Sequence, residues 1–266
     1  MEKNSVISIK AALVAGEEIL KVYNSDDFDV KLKSDDSPLT KADKNAHNII
    51  VENLSETNIP ILSEEGKNIL YEARSKWDKY WLVDPLDGTK EFIKRNGEFT
   101  VNIALIEKGV PILGVIYVPV TKDLYFSSKE KGSYKAINQD AESFNGDLNQ
   151  LIQSSFKLPF ITENDKYTVV GSRSHMNSET ENFIAKLKNE HGEIDFMSKG
   201  SSLKICMVAE GIANIYPRFA PTMEWDTGAG HAIALGAGCI VTQSDEKTPV
   251  VYNKEDLLNP WFIVKR

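Results

Sequence analysis

Two aspartates, Asp84 and Asp87, stand three residues apart in the segment Asp-Pro-Leu-Asp-Gly-Thr, residues 84–89. They follow the apolar run of residues 80–83, which is typical of a buried strand, and Pro85 is predicted to end its hydrogen-bond ladder. Carboxylates repel when packed closely, so one takes up a proton unless a cation lies between them. The spacing therefore favours a cation site, with an acidic turn after a strand as the alternative interpretation.

The same segment carries further groups that suit a metal and a phosphate. Pro85 holds the turn rigid, so that the carbonyl of Leu86 can point at the cation. Carboxylate and carbonyl oxygens are hard ligands, which suit Mg²⁺ or Mn²⁺ better than zinc. Gly88 lets a ligand approach the backbone. A helix is predicted to begin at Thr89, and its free N–H groups would receive a phosphate.

Other acidic residues stand where predicted strands end or helices begin. Glu64 and Glu65 leave the strand of residues 59–62, and adjacent strand ends would bring one of them beside the first aspartate segment. Asp226 is predicted to be the first residue of a helix rich in small residues. A helix cap is the common role of such an aspartate, but the small residues would also let another element or a phosphate come close.

Asp43 lies near the start of another predicted helix, in the pattern Thr-x-x-Asp that begins at Thr40. The apolar residues that follow have helical spacing, so both residues are expected at or near the helix N-terminus. A cap or first-turn acid is the structural interpretation of Asp43. His47, on the same helix, is predicted to be structural.

Three stretches of the second half are candidates for binding an anion or a base. Residues 171–175 (Gly-Ser-Arg-Ser-His) form a predicted loop, in which His175 either packs against a base or is a plain loop histidine. Residues 200–204 (Gly-Ser-Ser-Leu-Lys) bring hydroxyl groups and a cation to a helix N-terminus, which favours an anion. Residues 216–218 (Tyr-Pro-Arg) put an arginine just past a strand end. The two cations are either a second phosphate site or solvated surface charges.

Residues 63–65 (Ser-Glu-Glu), 84–89 and 225–230 (Trp-Asp-Thr-Gly-Ala-Gly) together resemble the signatures of the inositol monophosphatase superfamily, which comprises Mg²⁺-dependent, lithium-sensitive phosphatases. Their order and separations agree with the family, and the resemblance covers nearly the whole chain. It implies two or three Mg²⁺ ions, with Mn²⁺ as a substitute and with Li⁺ and Ca²⁺ as inhibitors. The metal ligands that it implies are Glu64, Asp84, the carbonyl of Leu86, Asp87 and Asp226.

The resemblance also implies catalytic roles. The family has an aspartate at the position of Asp43 near the attacking water, so Asp43 would take or steer its proton while Thr89 orients it. Glu64 is the third catalytic candidate, as a ligand of the first metal. The candidate substrate-binding residues are Leu86, Asp87, Gly88, Thr89, Ser172, His175, Gly200, Ser201, Ser202, Lys204, Arg218 and Asp226.

The motifs at residues 200–204 and 216–218 closely resemble the bacterial 3′(2′),5′-bisphosphate nucleotidases of sulfur metabolism. This implies hydrolysis of adenosine 3′,5′-bisphosphate to AMP and phosphate, and of its 5′-phosphosulfate analogue to adenylyl sulfate. An inositol-1-phosphate or fructose-1,6-bisphosphate phosphatase with the same machinery is the first alternative. A non-catalytic metal- and nucleotide-binding protein is the second, although the intact acidic set argues against it. Family members usually form homodimers.

Composition limits the remaining classes. The chain has 266 residues and a formal net charge of −8, which disfavours nonspecific binding to nucleic acid. Its two cysteines have neither disulfide-framework nor zinc-ligand spacing and are predicted to be buried thiols. The N-terminus lacks a signal pattern, and the longest nearly apolar run is shorter than the roughly 20 residues of a membrane helix. We expect a cytoplasmic protein without a transmembrane segment, and a peripheral association with the inner membrane stays open.

The patterning predicts two halves. Residues 1–145 begin with amphipathic helices and continue as an antiparallel meander, which indicates an α+β domain that carries most of the metal ligands. Residues 138–159 are polar and predicted to be irregular. Residues 146–266 alternate strand and helix, which indicates an α/β domain with the substrate residues and Asp226. The resemblance implies the layered α-β-α-β-α sandwich of the sugar phosphatases, with the site at the junction of the halves.

Overall fold

The computed structural model describes residues 1–25, 31–32, 38–163, 165–172 and 176–266. Within these ranges the helices are α1 (Glu2–Tyr23), α2 (Lys41–Ser55), α3 (Tyr71–Arg74), α4 (Thr89–Ile93), α5 (Leu148–Gln153), α6 (Ser178–His191), α7 (Leu203–Glu210) and α8 (Glu224–Gly236). The strands are β1 (Lys31–Leu32), β2 (Pro38–Leu39), β3 (Ile61–Ser63), β4 (Lys79–Asp87), β5 (Thr100–Glu107), β6 (Val110–Val118), β7 (Asp123–Ser128), β8 (Gly132–Ala136), β9 (Phe156–Lys157), β10 (Tyr167–Gly171), β11 (Ile194–Ser198), β12 (Ile215–Arg218), β13 (Ile240–Gln243) and β14 (Phe262–Lys265).

The first sheet has seven strands in the order β3-β4-β5-β6-β7-β8-β9. All neighbours are antiparallel except β3 and β4, so the predicted meander is confirmed. The irregular structure expected for residues 138–159 is wrong in part, because α5 and β9 lie there. Asp147 caps α5 by accepting hydrogen bonds from two backbone N–H groups, and Leu148 and Leu151 are buried. Three apolar residues, Leu148, Leu151 and Ile152, in a polar stretch are too weak a pattern to predict this helix. The division between residues 145 and 146 stays a prediction.

The second sheet has five strands in the order β11-β10-β12-β14-β13. Strands β10, β11 and β12 are parallel, and β14 is antiparallel to β12 and β13. The apolar runs near the end of the chain predict two or three strands, over residues 239–242, 250–252 and 261–264. The second of these runs forms no strand in the described part of this sheet. Instead the N–H of Tyr252 donates to the carbonyl of Gly109 at the turn between β5 and β6. Val250 and Tyr252 are buried, and Val251 is exposed.

The layers follow from which faces are apolar. Helices α1 and α2 cover one face of the seven-stranded sheet and share its core. Helices α7 and α8 lie between the two sheets, in a second core that contains residues of both. Helix α6 covers the outer face of the five-stranded sheet. The order is α-β-α-β-α, which confirms the predicted sandwich. Within the described ranges no helix is both long and apolar enough to cross a membrane.

The small residues of α8 serve this layering. A Cβ atom on Gly228 would lie 2.9 Å from a methyl group of Leu82 on β4, and one on Gly230 would lie 2.8 Å from Ile205 on α7. On the facing strand, a Cβ on Gly114 would lie 2.3 Å from the carbonyl oxygen of Ala229. Of the two roles expected for small residues in α8, close approach of another element is therefore the one that the packing uses.

Candidate active site

Asp84 and Asp87 lie on strand β4, on either side of a β-bulge. The prediction that Pro85 ends the ladder is wrong, because the strand continues to Asp87. Asp84 pairs with Asn102 and Asp87 pairs with Thr100. The two residues between the aspartates, Pro85 and Leu86, therefore face the single residue Val101 of β5. A bulge leaves a position unpaired, and proline, which has no N–H group, is tolerated there. The bulge re-aims the chain between the two carboxylates.

The turn after β4 needs a glycine. Gly88 has φ +93°, in the left-handed region, and is the N-cap of α4. Thr89 is the first residue of α4, as predicted. Its hydroxyl lies 3.3 Å from Oδ1 of Asp43 and 3.4 Å from the carbonyl oxygen of Leu86. The turn therefore brings a hydroxyl, a carboxylate and a backbone carbonyl together.

Asp43 is a helix cap, as its structural interpretation required. Its Oδ2 accepts hydrogen bonds from the backbone N–H of Thr40 at 2.7 Å and from the Thr40 hydroxyl at 2.5 Å, which makes a capping box at the start of α2. The other oxygen, Oδ1, faces Thr89. Capping and a contact with the turn thus use different oxygens of one buried carboxylate.

Asp226 is the third residue of α8 and not its first residue, so the predicted helix start is wrong by two positions. Its Oδ2 accepts a hydrogen bond from the N–H of Met223 at 2.9 Å. This is the arrangement that Asp43 has at α2. Asp226 therefore lies in the first turn of a helix, as the sequence pattern predicts. As in Asp43, one carboxylate oxygen accepts a hydrogen bond from the N-cap residue.

The acidic residues influence one another strongly. The carboxyl of Asp84 is 2 % exposed, and its pKa is raised well above the usual range by burial and then by the charges of Glu64, Asp87 and Asp226. Burial and the charge of Asp87 likewise raise the pKa of Asp226. Such a cluster is unfavourable when fully ionised unless a cation neutralises it. The donor set of four carboxylates and the Leu86 carbonyl fits a hard divalent ion.

As the side chains stand, no three acidic, imidazole or thiol groups of the described ranges are arranged to hold a metal ion. The individual carboxylates are instead partly engaged in hydrogen bonds. Asp84 Oδ1 accepts from the N–H of Leu86 at 3.0 Å, and Oδ2 of both Asp87 and Asp226 is occupied. Among the described residues no hydrogen-bond partner lies on Oδ1 of Asp87 or of Asp226, so these oxygens are the ones left for a cation.

A cleft of about 300 Å³ lies between the two halves beside this cluster. Of the predicted site residues its walls contain Asp87, Gly88, Ser172, Gly200, Ser201, Ser202, Lys204, Arg218 and Asp226. Five other predicted residues lie outside its lining, namely Asp43, Glu64, Asp84, Leu86 and Thr89. The prediction for His175 lies outside the described residues. The cleft is thus lined by residues of both halves.

Lys204 is not a solvated surface charge. It is 6 % exposed, and its ammonium group donates to the carbonyls of Ser201 at 2.7 Å and Lys199 at 3.2 Å. Burial lowers its pKa to about 8. The ammonium also lies 5.7 Å from the ring centre of Tyr216, a favourable distance for a cation–π contact. Lys204 therefore supports the loop that precedes it as well as lining the cleft.

Arg218 is the last residue of β12 and not a residue beyond the strand. The strand passes through Pro217 because it pairs with β14 there, while its pairing with β10 is limited to Ile215. The unused edge leaves no partner that would need the missing N–H of proline. A guanidinium N–H of Arg218 donates to the carbonyl of Pro221 at 2.9 Å, and the side chain lines the cleft.

The sequence reasoning missed Glu98, which lines the cleft, and two residues of β5 that contact Asp87 or the loop at 200–202. Thr100 and Asn102 are buried polar residues of β5, and Glu98 precedes them. Asn102 donates to Oδ2 of Asp87 at 3.3 Å. The available signal was a pair of polar side chains in an otherwise apolar strand, since a buried amide needs hydrogen-bond partners.

Comparisons with known proteins agree with this fold. The model of the Inositol monophosphatase family matches residues 1–261. A structure of CysQ from Bacteroides thetaiotaomicron, described as a bacterial member of the inositol monophosphatase family, has 55% sequence identity and a TM-score of 0.92. That alignment covers 100% of this chain and 97% of the other. At 22% identity, the suhB protein from Bartonella henselae has a TM-score of 0.73 over 98% of this chain and 92% of its own, a likeness of fold alone.

A curated relative from Salmonella typhimurium, named 3′(2′),5′-bisphosphate nucleotidase CysQ, is 47% identical over 253 residues. The alignment covers 94% of both chains. The relative of the same name from Escherichia coli K12 is 46% identical over 254 residues, again 94% of each chain. These likenesses extend across both halves and the cleft between them. The chain therefore belongs to the inositol monophosphatase family.

Proposed function

We propose that the chain is a phosphomonoester hydrolase that converts adenosine 3′,5′-bisphosphate to AMP and phosphate, with the 5′-phosphosulfate analogue as a second substrate. Relatives named 3′(2′),5′-bisphosphate nucleotidase support this proposal. The observation that carries it is the position of two cations, Lys204 and Arg218, in the cleft that also contains Asp87 and Asp226. A substrate with two phosphates needs both sides of such a cleft, one for the phosphate that leaves and one for the phosphate that stays.

The family is metal-dependent, and we assign Mg²⁺ to the acidic side of the cleft. We assign two or three ions, for which Mn²⁺ would substitute, and we expect Li⁺ and Ca²⁺ to inhibit the activity. The proposed ligands are Glu64, Asp84, the carbonyl of Leu86, Asp87 and Asp226. When bound, such ions supply a water of lowered pKa and neutralise charge on the leaving oxygen. Burial of acidic groups with the same charge supports this assignment.

The remaining steps belong to the protein. The Thr89 hydroxyl, between Asp43 and the Leu86 carbonyl, is assigned to orient the attacking water. Asp43 accepts the proton on Oδ1, the oxygen that the cap does not use. The N–H groups of Gly88 and Thr89 at the start of α4 hold a nonbridging phosphate oxygen. Ser172, the loop of Gly200, Ser201 and Ser202, and the cations of Lys204 and Arg218 line the part of the cleft that holds the rest of the nucleotide.

Phosphate release with Mg²⁺ tests the proposal. Adenosine 3′,5′-bisphosphate, inositol 1-phosphate and fructose 1,6-bisphosphate are compared side by side as substrates of one preparation. We expect the highest kcat/KM for the adenosine bisphosphate, with AMP as the product. A higher kcat/KM for inositol 1-phosphate or the fructose bisphosphate would replace the nucleotidase assignment. No phosphate release from any of the three would favour a binding protein.

Two further properties are proposed from the family resemblance. The chain is assigned to the cytoplasm and to a homodimer. The mass in solution, measured by light scattering with size-exclusion chromatography, tests the second assignment. A monomer at the concentration of the activity assay would contradict it.

A further inference from the structure

One wall of the cleft is held by a regular set of contacts that the proposed chemistry does not use. Three alternate residues, the last two on β5, point the same way, because successive side chains of an extended chain lie on opposite faces. They meet three consecutive residues of the loop at 200–202. The contacts are Glu98 Oε2 with the N–H of Gly200 at 2.9 Å, Thr100 Oγ1 with Ser201 Oγ at 2.7 Å, and Asn102 Nδ2 with Ser202 Oγ at 2.8 Å. We call Glu98, Thr100 and Asn102 the ladder.

The loop has a backbone that needs such support. Ser201 has φ +51°, in the left-handed region that a non-glycine residue seldom adopts. Gly200 is pressed against the residues below it, because a Cβ atom there would lie 2.9 Å from the carbonyl oxygen of Glu98 and 2.9 Å from Cγ of Glu91. The conformation of the loop therefore depends on the contacts that hold it to the first sheet.

The loop in turn holds Asp87. Ser201 and Ser202 donate to its Oδ2 at 2.6 and 2.7 Å, and Asn102 donates to the same oxygen at 3.3 Å. A carboxylate oxygen only accepts, so the Ser201 proton points at Asp87. The single proton of the Thr100 hydroxyl is shared between Ser201 Oγ at 2.7 Å and the amide oxygen of Asn102 at 2.9 Å. Bonds in such a chain strengthen one another. The position of Oδ1, the oxygen left for a cation, is fixed by these bonds to Oδ2.

We infer that the ladder consists of positioning residues, which fix the loop at 200–202 and thereby orient the Asp87 carboxylate toward a divalent cation. The inference rests on the metal role that the proposed function gives to Asp87. Glu98 and Thr100 act through the loop, whereas Asn102 acts both through Ser202 and directly on Asp87 Oδ2. The assigned reaction places none of the three on the reacting atoms. Substitution of a ladder residue is therefore expected to weaken metal binding more than it destabilises the fold.

The test replaces single hydroxyl groups. Thr100→Val keeps the shape of a buried strand residue and removes the hydroxyl that contacts Ser201 and the amide oxygen of Asn102, whereas Thr100→Ser retains a hydroxyl. Thr242→Val is the matched control, because the Thr242 hydroxyl is buried on β13 and has no hydrogen-bond partner among the described residues. Mn²⁺ binding to each metal-free protein is measured by electron paramagnetic resonance, and kcat and KM are measured with Mg²⁺ on adenosine 3′,5′-bisphosphate.

We expect Thr100→Val to weaken Mn²⁺ binding by about threefold to tenfold, the usual effect of losing one hydrogen bond. Thr100→Ser should restore most of the affinity, and Thr242→Val should bind like the wild type. Wild-type or tighter Mn²⁺ binding by a folded Thr100→Val protein would overturn the inference, as would a wild-type protein that binds no Mn²⁺. If the wild type binds Mn²⁺ in the expected order of variants but releases no phosphate, the ladder stands and the proposed function fails.

A second pair of variants covers the case in which Thr100→Val does not fold. Glu98→Gln keeps an oxygen that accepts from the Gly200 N–H, whereas Glu98→Ala removes it. Glu107→Ala is the control, since Glu107 is the last residue of β5 and forms an exposed ion pair with Lys79. We expect weaker Mn²⁺ binding for Glu98→Ala than for Glu98→Gln or Glu107→Ala. Equal affinities in the three variants would overturn the inference.

Discussion

At the scale of single residues, one oxygen of Asp87 receives hydrogen bonds from Ser201, Ser202 and Asn102, and the other is left for a cation. Asp87→Asn keeps the shape and an oxygen that can accept these bonds, but it removes one charge from the acidic cluster. We predict that kcat/KM falls at least about 100-fold, because charge stabilisation by a metal is worth several kcal/mol. The Tm in metal-free buffer should be unchanged or slightly higher, since a repulsive carboxylate is gone.

Phosphate release and a metal-free melting curve check this prediction. Asp245→Asn is a suitable control, because Asp245 lies in an exposed turn where its carboxylate accepts from Thr248. Turnover near that of the wild type in Asp87→Asn would contradict the two-metal assignment. A large loss of stability would instead make Asp87 a structural residue.

The contact between Thr89 and Asp43 predicts a second effect. Thr89→Ala and Asp43→Asn should lower kcat more than they raise KM, because the two groups act on the attacking water and not on bound substrate. Thr89→Ser, which keeps the hydroxyl, should recover most of kcat. Asn at position 43 can still accept from Thr40, so the capping box should survive. If Asp43→Asn loses about 1 kcal/mol of stability with an unchanged kcat, the residue is only a cap.

At the scale of elements, α8 carries a buried imidazole. His231 Nδ1 lies 3.0 Å from the hydroxyl of Tyr252, and burial lowers the pKa of His231 from about 6.5 to about 3. Between these values the unfolded chain binds a proton that the folded chain does not. The free energy of unfolding therefore rises with pH across this window and is lost as pH falls through it, by about 1.4 kcal/mol per pH unit.

His231→Gln tests this dependence, because the amide can replace the bond to Tyr252 and does not titrate. Denaturant unfolding of the metal-free variant and of the wild type is compared from about pH 6.5 down to the lowest pH at which both are folded. We predict a flatter curve for the variant, with all other titrating groups in common. Two parallel curves would mean that the His231 imidazole takes up a proton as readily in the folded protein as in the unfolded chain.

The elements also show how far the sequence leads. A periodic apolar pattern was enough for α1, one face of which is buried. Short apolar runs between turn residues were enough for the meander, whose strands β5 and β6 are buried on both faces. Local rules failed where tertiary contacts decide, as at Pro85, where a bulge absorbs the missing N–H, and at α5. The signature segments predicted the acidic cluster. Thr100 and Asn102 were missed because their partner is a loop about 100 residues away, which no local pattern reveals.

At the scale of the whole molecule, the crowded acidic residues lie beside the cleft between the two halves. Raised pKa values of Asp84 and Asp226 mean that the folded, metal-free protein holds protons that the unfolded chain has released. Its stability therefore falls as pH rises from about 4 toward the raised values. Mg²⁺ replaces those protons, so we predict that the increase of Tm caused by Mg²⁺ grows from about pH 5 to about pH 8.

Differential scanning calorimetry with and without Mg²⁺ at each pH checks this prediction. Titrating groups far from the metal, such as His231, cancel in the difference. The same scans on Asp87→Asn should show a smaller dependence on pH. An increase of Tm that does not change with pH would mean that the cluster is ionised without a metal.

The central claim is that a second phosphate lies on the cations of the cleft. Lys204→Ala is a poor test, because the Lys204 ammonium also donates to the carbonyls of Lys199 and Ser201. Its loss should therefore lower kcat/KM for every substrate. Arg218 binds the carbonyl of Pro221 at the cleft wall, so Arg218→Ala is the cleaner change. A charge-assisted hydrogen bond is worth roughly 1.5–3 kcal/mol, or roughly 10- to 100-fold in kcat/KM.

The most direct measurement is the ratio of kcat/KM for adenosine 3′,5′-bisphosphate to that for inositol 1-phosphate, in wild type and Arg218→Ala. Both substrates are assayed in the same preparation, so that any loss of folded protein cancels. We predict that the ratio falls roughly 10- to 100-fold in the variant, because a substrate with one phosphate loses no contact at Arg218. An equal fall for both substrates, which leaves the ratio unchanged, would contradict the nucleotidase assignment.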